Sequence, residues 1–184
     1  MQRTLTIFLL CVCSLVCARA ASAQDTRSFG LTMGYPASIG VLWHMNEAVA
    51  IRPEFSFDYF SSEIENDSPL GGDSSQDGHS VSVGLSALLY VARWDMTRAY
   101  VVPRYAYVHT SSSLEGPFTV LRDSTGNGHD VSVSFGAQHT LGERFAIYGE
   151  LGFAYERTTS DVTTTELRSN RVGTRSGVGV VVYF

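Results

Sequence analysis

The last eight residues, Gly177 to Phe184, alternate with a period of two. Val178, Val180, Val182 and Phe184 fall on one side of an extended chain. Gly177, Gly179, Val181 and Tyr183 fall on the other, and Arg175 continues that second side backwards. Successive side chains of a strand point to opposite faces, so one face here is apolar throughout. The opposite face becomes small and then charged away from the end. A strand of this kind fits a closed barrel with lipid outside and a filled lumen inside.

The same alternation recurs along the chain, and no stretch has the 3.6-residue period of an amphipathic helix. Eight strands are expected, at 28–35, 37–45, 48–62, 79–92, 98–112, 129–141, 144–159 and 171–184. Phe29, Leu31, Met33 and Tyr35 share one face of the first. Ile39, Val41, Trp43 and Met45 do so on the second, and Val49, Ile51, Phe55, Phe57 and Tyr59 on the third. Val131, Val133 and Phe135 oppose Asp130, Ser132, Ser134, Gly136 and Gln138 on the sixth. Phe145, Ile147, Leu151, Phe153 and Tyr155 oppose Ala146, Tyr148, Glu150, Gly152 and Ala154 on the seventh. The connections alternate in length. Asn46-Glu47, Arg93 to Thr97 and Leu141 to Glu143 are short; 63–78, 113–128 and 160–170 are long and polar. The expected fold is therefore all-β: an eight-stranded, antiparallel, up-and-down transmembrane β-barrel, with short turns at one end and long loops at the other.

The N-terminus reads as a secretory signal. Arg3 supplies the positive charge, Thr4 to Ala18 is mostly apolar, and Ala21-Ser22-Ala23 fits a small-x-small cleavage site. We expect residues 1–23 to be removed, leaving one domain over 24–184. Cys11, Cys13 and Cys17 all lie in this leader. The remainder then has no disulfide, thiolate metal site or cysteine nucleophile. Every one of the 13 basic residues is arginine, and two of them, Arg3 and Arg19, are in the leader. The eleven that remain face 18 acidic residues, a formal charge of −7 that disfavours nucleic acid as a partner.

A soluble barrel would turn its apolar face inward. Two features point the other way: small residues among the charges, which suit a tight lumen, and aromatics near strand ends, where interfacial girdles form. These are Tyr35, Trp43, Tyr59, Tyr105, Tyr107, Phe145, Tyr155 and Phe184. Ala50-Ile51-Arg52-Pro53-Glu54, Val102-Pro103-Arg104-Tyr105 and Tyr148-Gly149-Glu150-Leu151-Gly152, in this order and spacing, resemble the strand patterns of the small OmpA/OmpX-type outer-membrane β-barrel family. The resemblance covers nearly all of 24–184. It implies a monomer in the bacterial outer membrane, contacting membrane lipid and lipopolysaccharide. It also implies insertion by the barrel assembly machinery, which would read Gly179, Val182 and Phe184. Val178 stands where that family's terminal signal has a polar residue.

Strand parity places Arg52, Glu54, Asp58, Arg104, Glu150, Glu156, Arg171 and Arg175 on the inner face. Charges of both signs in a narrow lumen must pair or meet water. A structural charge network is the expectation, with a narrow ion channel as the alternative. Histidines 44, 79, 109, 129 and 139 fall on different strands without metal-ligand spacing. A lipid A-modifying hydrolase would need serine and histidine on one face. His129-Asp130-Val131-Ser132 has the residue types, but His129 and Ser132 have opposite parity. The acidic run Glu63, Glu65, Asp67, Asp73 and Asp77 lacks calcium-loop spacing and is read as a solvated loop. The chain is thus expected to be a non-enzymatic envelope barrel without cofactor or metal.

Overall fold

The computed structural model describes residues 29–36, 38–64, 74–116, 119–162 and 165–184. The expected leader, its cleavage after Ala23, and Glu65, Asp67 and Asp73 lie outside them. Eight strands close into one barrel in sequence order: β1 (Phe29–Tyr35), β2 (Ser38–His44), β3 (Val49–Ile64), β4 (Ser74–Arg93), β5 (Thr97–Gly116), β6 (Thr119–Thr140), β7 (Phe145–Val162) and β8 (Thr165–Tyr183). Each pairs antiparallel with its neighbours, and β8 returns to β1 through Gly30↔Tyr183 and Tyr35↔Val178. The short turns form as the sequence suggests. In the β2–β3 turn, Asn46 Oδ1 accepts from the backbone N–H groups of Ala48 (2.8 Å) and Val49 (2.9 Å).

The register fixes the barrel's shape. Stepping across the ladders from Gly30 leads through Leu42, Arg52, Ser86, Arg104, Ser132 and Ala154 to Gly173. Gly30 itself pairs with Tyr183, ten residues further along β8 than Gly173. A ten-residue stagger over eight strands tilts them by about 40° and sets a backbone radius of about 8 Å. Each residue then climbs about 2.5 Å along the barrel axis, and each strand-to-strand step about 3 Å.

The apolar set faces outward. Phe135, Leu151 and Phe153 are 58%, 65% and 69% exposed, whereas the inner face holds the buried residues. The outer apolar band ends at one rim in Phe29, stacked on Trp43, with Phe145 and Phe184 nearby. At its other rim tyrosines reach polar partners on the next strand: Tyr59 to Asp77 (3.2 Å), Tyr105 to His129 (2.7 Å), Tyr107 to Asn127 (2.7 Å) and Tyr155 to Asn170 (3.1 Å). By the register, Tyr59, Tyr107, His129 and Tyr155 lie within about 4 Å of one height. The band between the two rims is about 25 Å tall, the thickness of an outer-membrane barrel's apolar belt.

Two features differ from the sequence reading. First, the strands on the tall side are longer. Segments 63–64, 74–78, 113–116, 119–128, 160–162 and 165–170, expected as loops, are ladder. They rise above the aromatic rim, where water meets both faces. The apolar alternation therefore vanishes while the backbone pairing continues. Second, β1 and β2 have only 7 residues each, fewer than the roughly 9–11 that cross a membrane. Tyr35, grouped with the interfacial aromatics, instead tops this low hairpin about 10 Å below the tyrosine rim. Above it no described residue completes the wall. β3 pairs with β2 only through Phe55, and β8 pairs with β1 only from Val178 onward, so among the described residues each leaves an unpaired edge beyond that point.

Candidate functional site

The lumen is filled in two layers. The layer at the short-turn end is aromatic. Tyr100 (0% exposed), Tyr183, Leu42, Leu88, Val102 and Val181 pack there with Tyr90 and Tyr148 against them. His44 stacks on Tyr90 and Tyr90 meets Tyr100 edge-on. Gln138 ties the layer together: its Nε2 donates to Tyr183 Oη (2.6 Å), and its Oε1 accepts from Tyr90 Oη (3.5 Å). Such phenols and amides are kept in an apolar layer because each finds a partner.

Above it lies a chain of ion pairs drawn from four strands, β3, β5, β6 and β7. Arg52 of β3 is 4% exposed and holds Glu150 of β7 across the lumen in a two-pronged contact (Nη1–Oε1 2.8 Å, Nη2–Oε2 3.0 Å). Its Nε donates to Glu54 Oε1 (3.1 Å). Glu54 also accepts from Ser86 Oγ and from Arg104 Nε (3.4 Å). Arg104 Nη1 continues the chain to Asp130 (2.7 Å). Tyr100 Oη donates to Glu150 (3.1 Å), and the Arg52 guanidinium lies 5.2 Å from the centre of the Tyr148 ring. Each charge in the centre thus has an opposite charge and further hydrogen bonds, the condition for holding ions in a low-dielectric interior.

Of the residues singled out by parity, Arg52, Glu54, Arg104 and Glu150 meet in this one network. Arg175 is half-buried beside it and makes no ion pair among the described residues. Asp58 and Arg171 are exposed higher up; Glu156 accepts from Thr158 (3.3 Å). Ser86, Tyr100, Asp130 and Tyr148 join the charge network, although the sequence reading does not place these four in it. Asp130 and Tyr148 already had inward parity. Of the terminal residues, Phe184 is 79% exposed and Val182 half-buried. Gly179 has a packing role: a Cβ there would lie 2.5 Å from Tyr148 Oη, whose ring covers the glycine.

His129 faces outward with Tyr105, while Ser132 is buried inside. The Ser132 Oγ has no hydrogen-bond partner among the described residues and no histidine beside it. No group of three or more metal-ligating side chains occurs among the described residues.

No protein-family model matches the chain, and no curated protein sequence is similar to it. Solved structures are. A major outer membrane protein from Thermus thermophilus superposes with a TM-score of 0.59 at 13% identity, covering 85% of this chain and 98% of that one. Acinetobacter baumannii CarO2 gives 0.44 at 12% identity over 86% and 98%. The outer membrane protease OmpT from Escherichia coli gives 0.46 at 11% identity over 80% and 62%. The Thermus protein shares the fold at nearly full length. With its apolar belt outside, its aromatic rims and its charges inside, the chain is an integral β-barrel protein of the bacterial outer membrane.

Proposed function

We propose that this barrel is a non-catalytic, non-conducting protein of the small OmpA/OmpX type, with a structural or surface-interaction role in the envelope. The continuous Glu150–Arg52–Glu54–Arg104–Asp130 chain across the lumen carries this reading. An interior about 8 Å in backbone radius holds side chains and little else. Here it holds a salt-bridged layer on top of an aromatic one, so a solute meets two seals in series. The ladder above the tyrosine rim, polar on both faces, supplies the surface for interaction. The folded chain acts as a monomer, and Phe184 with Val182 and Gly179 is what the assembly machinery reads.

Conductance in planar bilayers tests the reading. Wild-type barrels should add no steady current above the bare membrane. Glu150→Ala, which opens the upper seal, should at most produce brief leaks. Steady, ion-selective wild-type current whose selectivity changes in Glu150→Ala would make the lumen a pore.

A further inference from the structure

The opening that the described residues leave above the β1–β2 hairpin lies at membrane depth. The hairpin ends about 10 Å below the tyrosine rim, so the gap between the free edges of β3 and β8 opens onto one leaflet. A bare strand edge cannot face acyl chains, because its N–H and C=O groups would go unpaired; it is tolerated where it lines a polar site. A second copy in the same membrane is a poor cover. Strands on the facing walls of two parallel barrels tilt in opposite senses and cross at about twice the 40° tilt, too steeply to pair.

Two cavities meet at this gap, and Tyr35 lines both. One, of about 570 Å³, lies inside β8 and is polar, with Asp130, Glu156, Arg171 and Arg175 on its walls. The other, of about 400 Å³, is an outer groove over Gly149 and Gly177, walled by Phe135, Ala137, Leu151 and Val178. The two differ in chemistry in the way that the two ends of a lipid do. Arg52 and Arg104 each hold two carboxylates, but Arg175, at the mouth of the gap, has none within ion-pair distance among the described residues.

We propose that this gap is a lipid site. A phosphate-bearing headgroup from the outer leaflet enters sideways and pairs with Arg175, with Arg171 above it, while an acyl chain lies in the groove under Tyr35. The headgroup oxygens and their water also satisfy the open β8 edge. The site stands whether or not the lumen conducts.

Native mass spectrometry of the folded barrel in detergent tests it, with dipalmitoyl phosphatidic acid and dipalmitoylglycerol as probes of equal chains. The wild type should retain the phosphatidic acid about tenfold more tightly, the size of one charge-assisted contact. Inorganic phosphate should not displace it. Arg175→Gln should bring the two lipids within about twofold. Gly149→Leu should weaken both lipids together by filling the groove, and it should fold, because a Cβ at Gly149 meets nothing within 4 Å. Unboiled gel mobility confirms that each variant is folded. Equal retention of both lipids by the wild type would overturn the site, as would full binding by Arg175→Gln. Displacement by inorganic phosphate would make the ligand a free anion and overturn the lipid assignment.

Discussion

Glu150 is the residue on which the upper seal depends. It takes three hydrogen bonds, two from Arg52 and one from Tyr100, and it comes from the wall opposite Arg52. Glu150→Ala would leave Arg52 buried with Glu54 alone, and Glu54 is already shared with Arg104 and Ser86. The cost of orphaning a buried charge reaches about 3–5 kcal/mol where the site is dry. The double variant Arg52→Met/Glu150→Leu should lose less, since no ion is left unpaired. Urea midpoints read from unboiled gel mobility would compare the three proteins. A Glu150→Ala midpoint equal to the wild type would mean that water, not Glu150, solvates Arg52. Gly179 shows a second kind of residue-scale constraint. The Tyr148 ring crosses directly over it, so this position must stay without a side chain for packing reasons alone, whatever the assembly machinery reads there.

At the scale of strands, the ladder between β6 and β7 continues through His129↔Arg157, Gly128↔Thr158 and Gly126↔Ser160 to Ser124↔Val162. Beyond His129↔Arg157, which lies at the tyrosine rim, these pairs stand above it, yet their backbone groups are bonded across the ladder. Their amides should therefore exchange with solvent deuterium at least about tenfold more slowly than unstructured chain. Loop-like exchange of Gly126, Gly128, Thr158 and Ser160 would return these segments to the status of loops. Inside the membrane band, alternation alone identified every strand and its outward face, because lipid demands apolar side chains at every second position. Above the band neither face needs them, and Ser, Thr, Gly and Asn read as loop although the backbone is paired. The lumen follows a similar division. Parity put Arg52, Glu54, Arg104 and Glu150 on the inner face. Which of them touch depends on the stagger between strands, and stagger leaves no mark in any single strand. Asp130 sat in a serine-rich inner face and closes the chain only because the register sets it beside Arg104.

The molecule as a whole is lopsided, and this follows from the same stagger. Six tall strands and one short hairpin share a common lower rim, so the wall dips where β1 and β2 turn back at Tyr35 and Pro36. Tyr35 is 77% exposed and outward, with the free edge of β8 beginning just above it, beyond Val178 at Gly177. If the tyrosine rim marks the outer interface, Tyr35 must lie about 10 Å deeper, among acyl chains. Residues 24–184 contain no cysteine, so Tyr35→Cys and Tyr155→Cys can each carry a single fluorophore. In bilayers whose lipids are brominated at defined chain positions, the label at residue 35 should be quenched most by bromine well down the chain. The label at residue 155 should be quenched most by bromine next to the headgroup. Equal depths would mean that the membrane tilts to follow the hairpin, and the gap above Tyr35 would then open to water instead of lipid. Unequal depths in the stated order would put a polar, arginine-lined opening inside the outer leaflet, where only a ligand polar at one end and apolar at the other fits both of its cavities.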